Sequence, residues 1–187
     1  MNRMQAELLA EAAETIPHQR LSLANSAGVG LGEAFAFDVT RPGLALYGGV
    51  PRPELASVIR PVAQVQAAIL QTRTLGAGDS VGYNATFTAQ APMRVGTVAM
   101  GYADGYPRHA PTGTPVVVAG QRSQQIGRVS MDMLCIDLTD VPQAGLGSTV
   151  ELWGKNILAS EVAQWADTIP YQIFCNLRRV PRLYSEG

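Results

Sequence analysis

From residue 63 onward the chain is a train of short apolar runs, each closed by a turn signal. Ala63, Val65, Ala67 and Ile69 alternate with Gln64, Gln66 and Ala68. That period of two belongs to a strand with one buried face. Further strand-like runs follow at Arg94 to Met100, Pro115 to Ala119, Gln125 to Val129, Met133 to Leu138 and Thr149 to Trp153. Gly76-Ala77-Gly78-Asp79, Pro111-Thr112-Gly113 and Gln143-Ala144-Gly145 punctuate them. Short strands at this spacing predict a mainly β domain, closed into a barrel or stacked as a sandwich. One helix is expected to interrupt it, with Ser160 as N-cap and Val162, Ala163, Trp165 and Ala166 on its apolar side.

The first 50 or so residues have a different texture, which predicts two domains, 1–48 and 49–187, meeting near Pro51-Arg52-Pro53. Met4, Leu8, Leu9, Ala12 and Ala13 share one face at helical spacing, so residues 3–15 read as an amphipathic helix ended by Pro17. Arg20 to Ala24 reads as a short strand stopped by Asn25-Ser26, and Leu44 to Tyr47 as a second. Helix, strand, connection, strand is the rhythm of an α/β unit with parallel strands. A segment this short cannot cover both faces of such a sheet, so it reads as the end of a larger α/β domain.

Composition narrows the functions. The 187 residues carry a net charge of −1, with 16% charged and 47% hydrophobic residues. A near-neutral chain without a Lys/Arg run offers no electrostatic reason to hold nucleic acid or an anionic membrane. No apolar stretch approaches membrane-spanning length. The N-terminus lacks the basic start and cleavage pattern of a signal peptide, so a cytoplasmic location is expected. Two cysteines, Cys135 and Cys175, and two histidines without a CxxC give no expected metal site; the thiols are expected to be buried and reduced. The chain has one lysine, Lys155, which follows Trp153-Gly154 in a turn and reads as a solvated surface residue.

Three polar clusters stand out. Gly101-Tyr102-Ala103-Asp104-Gly105-Tyr106-Pro107-Arg108 follows an apolar strand. It is either a β-turn with two packing tyrosines or a phenol held at a strand end, where acid/base work needs cationic neighbours. Gly127-Arg128-Val129-Ser130-Met131-Asp132-Met133 sets two charges in an apolar frame, as an ion pair across a turn or as a polar gate. Asn25-Ser26 and Arg41-Pro42-Gly43-Leu44 combine a hydroxyl with glycine-permitted backbone N–H groups, a combination that can hold a phosphate.

These clusters, with Tyr47-Gly48, Val81-Gly82-Tyr83 and Arg179-Val180-Pro181-Arg182, occur in an order that resembles the C-terminal half of bacterial alanine racemase over essentially the whole chain. The resemblance implies the last units of a (β/α)₈ barrel that carries pyridoxal phosphate, followed by the family's β domain, and a cytoplasmic homodimer that shares its active site between chains. Ser26, Gly43 and Leu44 would contact the cofactor phosphate, the last two through backbone N–H, and Arg41 would face the pyridine nitrogen. Tyr102 would be the acid/base that handles the L-alanine α-proton at the partner's cofactor. Met131 would bind the substrate carboxylate through its backbone, and Tyr83, Arg128 and Asp132 would line the substrate's path. The implied role is D-alanine supply for peptidoglycan. A racemase of broader specificity and a non-catalytic dimerisation or binding module are the alternatives.

Two features depart from the pattern. The segment Cys175-Asn176-Leu177-Arg178-Arg179-Val180-Pro181 lacks a tyrosine that many members carry, and is one residue shorter. The Schiff-base lysine and its surroundings are also absent, so the 187-residue chain by itself is expected to be inactive.

Overall fold

A computed structural model describes residues 1–185 and divides the chain into two compact units, Met1–Val62 and a second that begins at Ala63.

In the first unit, helix α1 spans Asn2–Thr15 and buries none of its residues fully. Helix α2, Ser26–Val29, is a single turn capped by Asn25, whose side chain accepts from the Ala27 and Gly28 N–H groups. Neither expected strand forms. Arg20 to Ala24 contributes one isolated bridge, Ser22 to Phe37, and a parallel bridge joins Asn25 to Arg41. Leu44–Tyr47 is a 3₁₀ turn. The reason is the glycine that follows: Gly48 takes a left-handed φ of 81°, and its N–H bonds back to Ala45 O. A Cβ at Gly48 would lie 2.6 Å from Arg60 O, so the position admits no other residue without a shift.

The second unit is the closed antiparallel barrel of a mainly β fold. Its strands are β1 (Val65–Leu75), β4 (Met93–Val98), β5 (Pro115–Val118), β6 (Gln121–Ile126), β7 (Leu134–Asp137) and β8 (Thr149–Trp153), in the order β1-β4-β7-β6-β5-β8. The two short strands β2 (Ser80–Val81) and β3 (Phe87–Thr88) form a separate hairpin. Strand β1 closes the ring by bending: its first half pairs with β8, its second with β4, and the register shifts where it changes partner.

Alternation decides which side chains fill the barrel. Leu134 and Ile136 of β7 point inward with Ile69, Val98, Val116, Val118, Val150 and Leu152. Cys135 and Val95 face outward onto a second apolar cluster with Leu75, Val81, Ala89 and Ile126. Cys135 is therefore half-buried and Cys175 exposed, against the expectation of two buried thiols; both are free. Strand β6 lies upstream of the expected Gln125 to Val129, because its polar half, Gln121 to Gln124, carries no apolar alternation to betray it.

Two helices follow β8 where one is expected. Helix α3, Ala159–Trp165, starts after Leu158 rather than at Ser160, and turns Trp165 partly outward. Helix α4, Pro170–Asn176, opens on a proline, whose missing N–H costs nothing at a helix start. Phe174, Leu177 and Val180 then pack the tail against the barrel core.

A candidate active-site cleft at one end of the barrel

The loop between β4 and β5 and the loop between β6 and β7 emerge at the same end of the barrel. They cross in backbone contact. Tyr102 N–H donates to Ser130 O at 3.1 Å and Ala103 N–H to Met131 O at 2.9 Å. Gly101 is what lets them meet: a Cβ there would lie 2.1 Å from Met131 O. The β2–β3 hairpin joins the crossing in the same way. A Cβ on Gly82 would lie 2.9 Å from Arg128 N, and one on Gly127 2.8 Å from Val81 O. Thr112 Oγ1 accepts the Gly127 N–H at 2.9 Å, while Gln125 Nε2 donates to Gly127 O.

The crossing opens into a cleft of about 780 Å³ lined by Tyr83, Tyr102, Arg108, His109, Arg128 and Met131 among others. Four residues singled out in the sequence thus share one space. Asp132 is exposed beside Met131 but is not part of the lining. Arg128 and Asp132 do not form the ion pair considered above: among the described residues the ion pairs are Arg52–Glu54 and Arg122–Glu161. Arg108 was only the end of a motif in the sequence. In the structure its guanidinium carbon stands 5.8 Å from the centroid of the Tyr102 ring.

The two tyrosines of the cluster differ in burial. Tyr102 opens a 3₁₀ turn, Tyr102–Asp104, and remains 38% exposed. Asp104 closes this turn by accepting the Gly101 N–H at 2.9 Å, and Gly105 ends it with φ 103°. Tyr106 is 1% exposed and stacks on Trp153 with ring centroids 6.1 Å apart. Its hydroxyl has no hydrogen-bond partner, and burial drives its pKa far above the ordinary phenol value. Tyr106 is core, whereas Tyr102 keeps part of its ring exposed in the cleft.

The first unit gathers the other cluster. Ser26 is buried, and its Oγ accepts the Ala45 N–H at 3.1 Å. Arg41 donates from Nη1 to Ser22 Oγ at 2.5 Å and from Nη2 to Leu23 O at 3.2 Å, which fixes its guanidinium plane. Gly43 has an ordinary φ of −80°, and a Cβ there would meet nothing within 4 Å. Neither backbone nor packing demands that glycine, and the space above it is open. Its N–H is engaged by Arg41 O at 3.0 Å. Leu44 opens the 3₁₀ turn, so its N–H is one of those that a helix start leaves without an internal partner. Lys155 is exposed in the connection after β8. Among the described residues no three His, Cys, Asp or Glu side chains converge, and no helix is long and apolar enough to cross a membrane.

Comparisons with known proteins identify the two units. The family model for the alanine racemase C-terminal domain matches residues 62–184, and that for the N-terminal domain matches residues 1–51. This defines the class by its pair of domains, part of one family's N-terminal domain followed by its C-terminal domain. The chain belongs to the alanine racemase family. It is 63% identical to an alanine racemase of Pseudomonas fluorescens over 95% of its own length and 50% of that protein's. The crystal structure of the biosynthetic alanine racemase from Pseudomonas aeruginosa superposes with a TM-score of 0.93 at 44% identity, over 98% of this chain and 52% of that one. The alanine racemase of Bartonella henselae, solved with covalently bound pyridoxal phosphate, gives a TM-score of 0.86 at 34% identity, over 98% of this chain and 52% of that one. The chain spans about half the length of the relatives it matches.

Proposed function

We propose that the chain forms the C-terminal part of an enzyme that interconverts L- and D-alanine, with Tyr102 as one of its two acid/base groups. The observation that carries this reading is the half-exposed Tyr102 phenol, set on a turn whose backbone is bonded on both sides and directed into a cleft lined by arginines. Within a homodimer, Tyr102 serves the partner's site and moves the α-proton of L-alanine. The Met131 backbone holds the substrate carboxylate, and Tyr83, Arg128 and Asp132 shape the way in. Residues 1–48 are read as the closing part of a (β/α)₈ barrel, and 49–187 as the β domain. The two free thiols are in keeping with a reducing cytoplasm, where D-alanine would feed peptidoglycan synthesis.

The residues of the first unit suit pyridoxal phosphate. Ser26 already spends an oxygen lone pair on Ala45 and keeps its proton to donate. Open space lies over Gly43, and the Leu44 amide adds a donor. For Gly43 to donate to a phosphate, its N–H must leave Arg41 O. Arg41, always cationic, would face the pyridine nitrogen and keep it unprotonated. When bound, the cofactor supplies the electron sink that makes an amino acid's α-proton acidic. Its covalent anchor must be a lysine, and the one here, Lys155, is exposed and lies in the other unit. The 187-residue chain alone is therefore expected to be inactive.

The test is Tyr102→Phe in the holoenzyme, read as α-proton exchange from each enantiomer. The ring still packs and only the phenol oxygen is lost. General acid/base groups contribute 10²–10⁴-fold, so exchange from L-alanine should fall on the order of 10³-fold, while exchange from D-alanine should partly survive. Equal, small losses from both enantiomers would make Tyr102 a packing residue and overturn the reading.

A further inference from the structure

We infer that the second unit carries a binding site for a neutral sugar ring, built on Trp165 beside the polar half of β6. The groove that forms it holds about 370 Å³, within the range of small-ligand pockets, and shares no lining residue with the cleft of Tyr83 and Tyr102. It is therefore independent of the chemistry proposed there. Trp165 is its wall. Val162, Ala163 and Ala166 carry the buried side of α3, yet the indole stays 44% exposed. The ring is nonetheless held in place. It lies against Gly113, where a Cβ would come within 3.2 Å of Cζ3 and 3.3 Å of Cη2. Gly113 has φ 98°, so its backbone and this close approach both call for glycine. One turn earlier on the helix, Glu161 is paired with Arg122 of β6, and residues four apart share a helix face. The ion pair thus ties the Trp165 face of α3 to the strand that floors the groove.

The polar groups beside the ring are only partly engaged. Ser123 Oγ donates to Asp137 O at 2.5 Å, and Gln121 Nε2 donates to Asp140 O at 2.9 Å. Gln121 keeps its amide oxygen and a second N–H, and Asp137 keeps Oδ2, since Oδ1 accepts the Thr139 N–H. Among the described residues the Gln124 amide and the Asp140 carboxylate make no side-chain hydrogen bond, and both line the groove. Donors and acceptors therefore stand together beside one flat apolar wall. That combination selects the class of ligand. An anion would meet Asp137 and Asp140, and a cation would meet Arg122. A hydroxyl donates and accepts at once, so several on one ring can use both kinds of partner. The C–H groups on one face of a pyranose are apolar and slightly positive, and they stack on the negative face of an indole.

The test uses the 187-residue chain and the methyl pyranosides of glucose, galactose, mannose and N-acetylglucosamine. Trp153 is fully buried, so a saccharide-dependent change in tryptophan fluorescence reports on Trp165. At least one pyranoside should give a saturable change with a Kd of about 1–10 mM, the order that a ligand of this size reaches. Sorbitol, which has the hydroxyls but no ring face, should give none at the same concentrations. Two variants are then read by ligand-observed NMR, in which Trp165 is not the reporter, with unfolding midpoints to check the fold. Gln124→Ala removes an exposed amide without a partner, so the fold is expected to hold, and Kd should rise about two- to tenfold. Trp165→Phe keeps a smaller ring in place, and Kd should rise about three- to tenfold. No saturable response to any of the four pyranosides, an equal response to sorbitol, a stronger one to arginine methyl ester or to adenosine, or an unchanged Kd in either variant overturns the inference.

Discussion

At the scale of single residues, the sharpest contrast is between two tyrosines four positions apart. Both sit in one polar motif, and nothing in their spacing says which is buried. The structure separates them by what each ring meets: Tyr106 finds Trp153, and Tyr102 finds Arg108 and open space. Burial without a partner makes the Tyr106 hydroxyl a cost to the fold. Tyr106→Phe should raise the unfolding free energy by about 1 kcal/mol at neutral pH, measured by urea denaturation. It should also change the alkaline limb. Because the folded pKa is raised, the unfolded chain loses this proton first as pH rises past about 10, and each further pH unit costs about 1.4 kcal/mol of stability. That component of the slope should vanish in Tyr106→Phe. A hydroxyl satisfied by an internal water would instead show destabilisation on its removal.

At the scale of elements, α1 and most of the barrel strands were legible, whereas β6 and the two short runs of the first unit were not. β8 could be read to the residue, since Val150 and Leu152 alternate with the polar Thr149 and Glu151 in a run bounded by clear turns. Leu44 to Tyr47 also looks like a strand and is a helical turn, because Gly48 supplies a left-handed cap and one apolar run of four residues cannot reveal its period. Helix α4 carried a signal that could have found it: Pro170 at a helix start, then Ile173 and Phe174 on one face. The grouping of Tyr83, Tyr102, Arg128 and Met131 followed from ordered motifs, whereas Arg108 needed three dimensions. The connection from β8 to α3 depends on a residue that alternation would have turned outward. Glu151, 5% exposed, accepts from Asn156 N–H and Nδ2 at 2.7 Å each, and from Gln64 Nε2 and Ile157 N–H at 3.3 Å. Glu151→Ala strands a buried backbone donor and should cost about 2–3 kcal/mol in urea unfolding, with the barrel retained by circular dichroism. A loss under about 0.5 kcal/mol would mean that Ile157 packing holds the connection instead.

At the scale of the whole molecule, stability is expected to be uneven. The second unit contains a continuous core; in the first, the fully buried apolar side chains are Ala24 and Leu44, and α1 buries none. Amide exchange of the 187-residue chain in dilute solution should therefore be much faster over residues 20–48 than over Leu134–Asp137, with the barrel strands approaching the global unfolding limit. Equal protection would show that the first unit holds itself together by means other than an apolar core. The barrel's closure carries a different consequence. A sheet that ends offers its last strand as a template, and a stranger can be welcomed or suffered there. In this ring each strand has a partner on both sides, so none is terminal. Whatever the barrel recognises, it must recognise with side chains, and that vocabulary can be rewritten one residue at a time without disturbing the scaffold that displays it.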